Sequence, residues 1–222
     1  MQYFTPKFFK FFDELEKNNN KEWFEKNRSR YENDVKIPFK KLVTDINEKL
    51  LKELPDLNRE IHKNIFRINR DIRFSKDKSP YKNNVAAVFS RKGTQDIDYP
   101  GFYLHIGSKE LLVGGGKYEV SKEQLAKIRQ EIYYNNATFK KILNDKAFKE
   151  KYKTLDGEKN KVLPPEYKEF VAEQPLIANK QFWYHGTLTR KDVTSDKLDS
   201  IVLSYFKAGL KMNKFLLDAI SG

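Results

Sequence analysis

Apolar residues recur at helical spacing along the first part of the chain. Phe8, Phe11, Phe12 and Leu15 share one face, and Thr5-Pro6 ahead of them supplies an N-cap and a proline at the first helical position. Asn18-Asn19-Asn20 ends that helix. The same spacing resumes from about Lys21 to Leu54 through Phe24, Tyr31, Val35, Phe39, Leu42, Ile46 and Leu50. Trp23 and Phe24 are expected to pack inward at its start. Pro38 has no amide to donate, so a kink or two abutting helices are expected there.

After Pro55 the period changes. Ile61 to Phe74 is rich in β-branched and aromatic residues in near-alternation, which predicts one or two extended segments. Ser75 to Asn84, polar and holding Pro80, reads as a loop, and Val85 to Phe89 as a short buried strand. Gly101–Ile106 and Glu110–Val113 predict a hairpin joined through Gly107-Ser108-Lys109. Gly114-Gly115-Gly116 then permits positive φ or close backbone approach, as at a hairpin end or bulge. Ser121-Lys122-Glu123-Gln124 is a capping box that opens a helix through Leu125, Ile128 and Ile132. A further helix is expected over Thr138–Phe148, a turn at Asp156-Gly157, a short element from Leu163-Pro164-Pro165, and a strand over Phe182–Leu188. A long final helix, Asp196 to Ile220, turns Leu198, Ile201, Val202, Tyr205, Leu210, Phe215 and Leu216 toward the core. The pattern predicts one α+β domain over residues 1–222. It is helical over 1–55, mainly β over 60–118 and mainly helical over 121–222. An antiparallel sheet of about four to six strands is flanked by N- and C-terminal helices.

Composition narrows the function classes. Seventeen Phe, 12 Tyr and 2 Trp in 222 residues supply core material that a disordered chain lacks. No apolar run reaches the ~18–20 residues of a membrane-spanning helix, so no membrane partner is expected. The absence of cysteine excludes disulfides, thiolate metal sites and thiol catalysis. With no secretory pattern in Met-Gln-Tyr-Phe-Thr-Pro-Lys, a cytoplasmic location is the expectation. A net charge of +12 favours acidic partners, but 34 of the 43 basic residues are lysines, which any solvated surface carries. The arginines are more informative, because a planar guanidinium suits phosphate and carboxylate.

Three of the nine arginines, Arg67, Arg70 and Arg73, fall within seven residues. From Lys63 to Lys82 seven basic residues stand against two acidic ones, a local balance of +5. On an extended strand Arg67, Asn69, Asp71 and Arg73 share one face. Arginines flanking an aspartate form a hydrogen-bonded fork with donors to spare, over which Lys76, Lys78 and Lys82 could close. The candidate ligand-binding residues are therefore Arg67, Arg70, Asp71, Arg73, Lys76, Lys78, Tyr81, Lys82 and His105. An internal ion-pair network pinning the loop to the sheet accounts for the same residues equally well.

The run Arg70-Asp71-Ile72-Arg73-Phe74-Ser75-Lys76-Asp77-Lys78-Ser79-Pro80-Tyr81-Lys82 resembles the R-D-x-R-F-S-x-D-K-x-P-Y-K signature of a widespread bacterial and fungal domain-of-unknown-function family. Asn19-Asn20-Lys21-Glu22-Trp23-Phe24, Tyr103-Leu104-His105-Ile106 before the triple glycine, and Phe206 to Leu216 agree in the same order. The resemblance covers nearly the whole chain and implies a single domain; it brings no reaction with it. At Leu163-Pro164-Pro165-Glu166-Tyr167 the chain departs from the basic, Pro-basic-Gly pattern of that family.

Other motifs carry less. Lys117 after the triple glycine is followed by Tyr118, so the spacing of a phosphate loop fails, although the Ser121 helix start lies close by. His62, His105 and His185 do not fall at metal-ligand spacing, and no metal site or cofactor is expected. His105 could serve as a general base, but a hydrogen-bonded strand histidine is the simpler reading, and His185 is similarly ambiguous. No nucleophile is fixed, so no reaction type is named and an enzyme stays an open alternative. Three functions remain. One is a localised site for a phosphorylated or carboxylated small molecule, which the arginine cluster favours. A second is a nucleic-acid-binding module, suggested by Phe66, Phe74 and Tyr81 among cations. The third is a structural or interaction protein whose basic motif is an internal network. Oligomeric state is not legible.

Overall fold

The structure is a computed structural model describing every residue except Phe74, so the end of the predicted 61–74 segment lies outside the described residues. Four strands, β1 (Asn84–Phe89), β2 (Phe102–Gly107), β3 (Leu111–Lys117) and β4 (Phe182–Thr187), form one antiparallel sheet in the order β1-β2-β3-β4, flanked by N- and C-terminal helices. The α+β expectation holds, with the lower of the expected strand numbers. The chain groups into two compact units. The first holds Met1–Asp96, Tyr103–Val113 and Thr187–Ser204, and the second Ile97–Phe102, Gly114–Gly186 and Tyr205–Gly222.

In the first unit, helix α1 (Pro6–Lys17) starts where Thr5 accepts the Lys7 amide and buries Phe8, Phe9, Phe11, Phe12 and Leu15. Helix α2 (Lys21–Lys26) is capped by Asn20, which accepts the Trp23 amide at 2.9 Å. Phe24 is buried and Trp23 half-buried against Phe11. A short turn α3 (Arg28–Arg30) leads into a wider π-helical turn, Tyr31–Lys36, and then α4 (Ile37–Leu50). The break expected at Pro38 takes this form. Pro38 cannot donate to the carbonyl four residues back, and the preceding turn widens so that the Ile37 amide reaches Glu32 instead. Phe39, Leu42, Val43, Ile46 and Leu50 of α4 are buried.

The 61–74 expectation is corrected. Ile61–Asn64 is a helical turn, α5, and residues 65–73 form no regular strand. The chain nevertheless runs antiparallel to 80–87 through isolated bridges at Ile65–Ala87 and Asn69–Tyr81. The Phe66 amide donates to Ala86, Arg70 to Pro80, and Lys82 back to Ile68. Beyond Arg70 the pairing stops, because Asp71 accepts the Arg73 amide in a local turn. The single face joining Arg67 to Arg73 therefore does not form. A four-residue helix, α9 (Arg190–Val193), has a Thr189–Asp192 capping box, and Arg190 reaches the Asp13 carboxylate and the Ser108 carbonyl.

In the second unit the Ser121–Gln124 capping box opens α6 (Lys122–Tyr134). The predicted 138–148 helix is two: α7 (Asn136–Leu143) and α8 (Lys146–Tyr152), parted where Asp145 caps the second through the Ala147 amide. Phe139, Phe148, Tyr152, Phe182, Tyr184, Met212 and Leu216 share its core. Arg129 on α6 is buried because its guanidinium donates to the Ile177 and Asn179 carbonyls at 2.9 and 3.3 Å. The last helix, α10, runs Leu198–Ser221, with its residues from Tyr205 onward in this unit. Its core face includes Phe206, Met212 and Asn213, whereas Ile201, Tyr205 and Leu210 are only half-buried. Asn213 joins the Tyr184 hydroxyl at 2.6 Å to the Gly101 carbonyl at 3.1 Å.

The triple glycine lies inside β3 rather than at a hairpin end. Gly116 has φ +101°, and a Cβ there would strike the Phe182 carbonyl of β4. Lys117 beside it is buried, its ammonium donating to the carbonyls of Ile97 and Glu119, so it offers nothing to a phosphate. Gly116→Ala combines a disfavoured backbone with a main-chain clash. It should destabilise the fold by about 1–3 kcal/mol, read as a lower midpoint in urea unfolding with unchanged slope.

Candidate functional site

The basic motif divides into a loop and a cleft, both within the first unit. In the loop, Arg73 grips Asp71 through two parallel bonds, Nε to Oδ1 at 3.0 Å and Nη2 to Oδ2 at 2.6 Å. That pairing, with the Arg73 amide and a weaker contribution from Arg67, holds the Asp71 carboxyl well below the usual range. Asp77 accepts the Ser79 hydroxyl at 2.6 Å, the Ser79 amide at 2.9 Å and the guanidinium of Arg70, which together lower its pKa to about 2. Lys78 turns back onto the Ile72 carbonyl at 2.9 Å, and Lys76 is exposed. These groups order the loop by local pairing at the surface.

Tyr81 takes no part in this loop pairing. It is buried, stacked on Phe24 with ring centroids 3.9 Å apart and planes at 13°. The Asn19 side chain holds its main chain on both sides: Nδ2 donates to the Tyr81 carbonyl at 2.9 Å and Oδ1 accepts the Tyr81 amide at 3.1 Å.

A cleft of about 430 Å³ lies beside this anchor, lined by Phe66, Arg70, Lys82, Asn83, Asn84, Ala86, Tyr103 and His105. The two-residue period of β2 puts Tyr103 and His105 on one face, alternating with buried Leu104 and Ile106. The Tyr103 hydroxyl lies 3.2 Å from His105 Nδ1, and His105 Nε2 lies 3.8 Å from the Glu110 carboxylate. Lys82 Nζ sits 5.5 Å from the centre of the Phe66 ring, which meets Tyr103 edge-on at 6.3 Å. Burial lowers the Lys82 pKa, and the positive charge of Arg67 lowers it further. Burial also lowers that of His105; Glu110 opposes the shift and Lys82 adds to it. Tyr103 is pushed up to about 12 by burial and by Glu110.

Of the nine sequence candidates, Arg70, Lys82 and His105 line the cleft. Arg67 stands exposed and acts on it through its field; Asp71, Arg73, Lys76 and Lys78 belong to the loop, and Tyr81 to the core. Phe66, Asn83, Asn84 and Tyr103 line it as well. Sequence signals were available for three of these: Asn83-Asn84 directly follow Lys82, and Tyr103 stands two residues from His105 in a strand. Among the described residues no group of three potential metal ligands comes together, and no helix is long and apolar enough to cross a membrane.

Fold and cleft define an α+β protein with a basic, aromatic-walled recess lined in part by strands β1 and β2. A family model described as a conserved hypothetical protein, DUF2461, matches residues 7–215, and the chain belongs to that family. It has no match among curated proteins or solved structures.

Tyr81→Ala should cost about 3–5 kcal/mol, the usual loss for a buried aromatic ring, whereas Asp71→Asn should leave the melting temperature at the parent value, because the pair it breaks is solvated. His105 has a folded-state pKa below its unfolded one, so on acidification the unfolded chain takes up a proton first. Stability should then fall as pH drops from about 6.5 toward the folded-state value. His105→Gln should remove that part of the pH dependence in denaturant titrations.

Proposed function

We propose that the Phe66–Lys82–His105 cleft binds a small phosphorylated or carboxylated molecule. The observation that carries the reading is Lys82. Its ammonium is partly withdrawn from water and further disfavoured by Arg67, and among the described residues no carboxylate pairs with it. An ion held in a low-dielectric recess without a counter-charge favours an anion there. Arg70 and the Asn83 and Asn84 amides add donors around the same recess. The ring of Phe66 faces Lys82 and the edge of Tyr103, which suits a compact ligand better than a stack of successive bases. That weighs against the nucleic-acid reading, whose mark would be binding that weakens steeply with salt. The Asp71–Arg73 pair is solvated, as is Asp77 in its pair with Arg70, which weighs against a purely stabilising network.

Inorganic phosphate, phenyl phosphate and benzoate form a sufficient first panel. At least one should raise the melting temperature and bind in calorimetry. Lys82→Gln should weaken that binding about 10- to 100-fold, the worth of one charge-assisted hydrogen bond, and Asp71→Asn should leave it unchanged. Equal affinity of wild type and Lys82→Gln would reject the reading.

A further inference from the structure

The charges and donors around the cleft discriminate between the two anion classes. A carboxylate brings one negative charge and two oxygens. A phosphate monoester near neutral pH brings about −1.5 to −2 and three acceptor oxygens. The recess has Lys82 in its wall with no carboxylate against it among the described residues; Arg67 stands exposed beside it and also acts on Asp71, and Arg70 is shared with Asp77. Its amides are also available as donors. Asn83 Oδ1 already accepts from Asn19 at 3.3 Å, which leaves Asn83 Nδ2 to donate, and the Asn84 side chain makes no hydrogen bond among the described residues. Lys82 and the two amides together offer more donors than the roughly four acceptor positions of one carboxylate.

His105 adds a proton-linked element. It is nearly enclosed, with 13% of its side chain exposed. The groups that face it are the Tyr103 hydroxyl from its own strand, the Glu110 carboxylate from the turn into β3, and Lys82 from the chain entering β1. Burial lowers the imidazole pKa, Glu110 opposes the shift and Lys82 adds to it. A dianion arriving between Lys82 and His105 would offset the effect of Lys82 and favour the imidazolium. Resting on the anion-cleft reading above, we propose that the ligand is a phosphate monoester and that its binding is coupled to uptake of a proton at His105.

Phenyl phosphate and benzoate share a ring and differ in the anionic group, so they separate the two classes on the full-length chain. Phenyl phosphate should bind at least about tenfold more tightly than benzoate, a difference of about 1.4 kcal/mol. In NMR titrations the His105 midpoint should move upward when phenyl phosphate is present. Calorimetry in buffers of different ionisation enthalpy should show net proton uptake with wild type and none with His105→Gln. If His105→Gln does not fold, the wild-type titration decides alone. Equal affinity for benzoate, or phosphate binding with an unmoved His105 midpoint, would overturn the phosphate proposal while leaving an anion cleft intact. Binding of neither probe would remove the cleft reading with it.

Discussion

Asn19 is the contact on which the cleft depends. Its amide is shaped like a peptide group and pairs with the Tyr81 main chain as a neighbouring strand would, taking the amide at 3.1 Å and serving the carbonyl at 2.9 Å. It donates at 3.3 Å to Asn83 as well. The Phe24 ring lies flat on Tyr81 from the same segment of the chain. Together these fix the backbone from 80 to 84, against which Ile68 and Arg70 then bond. A lysine on a mobile loop would keep its ammonium in water; Lys82 follows a clamped residue and stays partly desolvated over Phe66. Two sequence motifs separated by some sixty residues, Asn19 to Phe24 and Tyr81-Lys82, are thus two halves of one joint.

The helical parts were largely legible because helices are governed by local rules. Thr5, Asn20 and Ser121 accept the amides their cap positions require, and the buried faces of α1 and α4 follow the apolar spacing. Legibility failed where a contact distant in sequence, or a side chain competing with the backbone, decided the outcome. The alternation from Ile61 to Phe74 is real, but Ile61–Asn64 coils and the Asp71 carboxylate draws the Arg73 amide into a turn. Tyr81 sits in a polar stretch with Pro80 nearby and reads as part of a surface loop. Nothing local reveals that its stacking partner is Phe24. The candidate site was half legible for the same reason. Charge clustering marked Arg70 and Lys82, and strand phase marked His105, but charge alone could not separate loop pairs from cleft walls.

The net charge of +12 is similarly divided by structure. Several of the 43 basic residues are matched along exposed helix faces, as in Lys26–Glu22, Lys36–Glu32 and Lys214–Asp218, four residues apart, and add nothing to the net value. Three cations withdrawn from solvent behave differently. Lys117 and Arg129 are buried, and each is answered by main-chain carbonyls that accept its protons. Their desolvation is offset within the fold, and their role is complete once the chain has folded. Lys82 meets an aromatic face, and such a contact contributes only about 0.5–2 kcal/mol. Burial and the like charge of Arg67 leave the Lys82 ammonium less favoured than in water, which lowers its pKa. An anion is the one kind of ligand that reverses both terms at once, restoring hydrogen-bond acceptors and cancelling the repulsion.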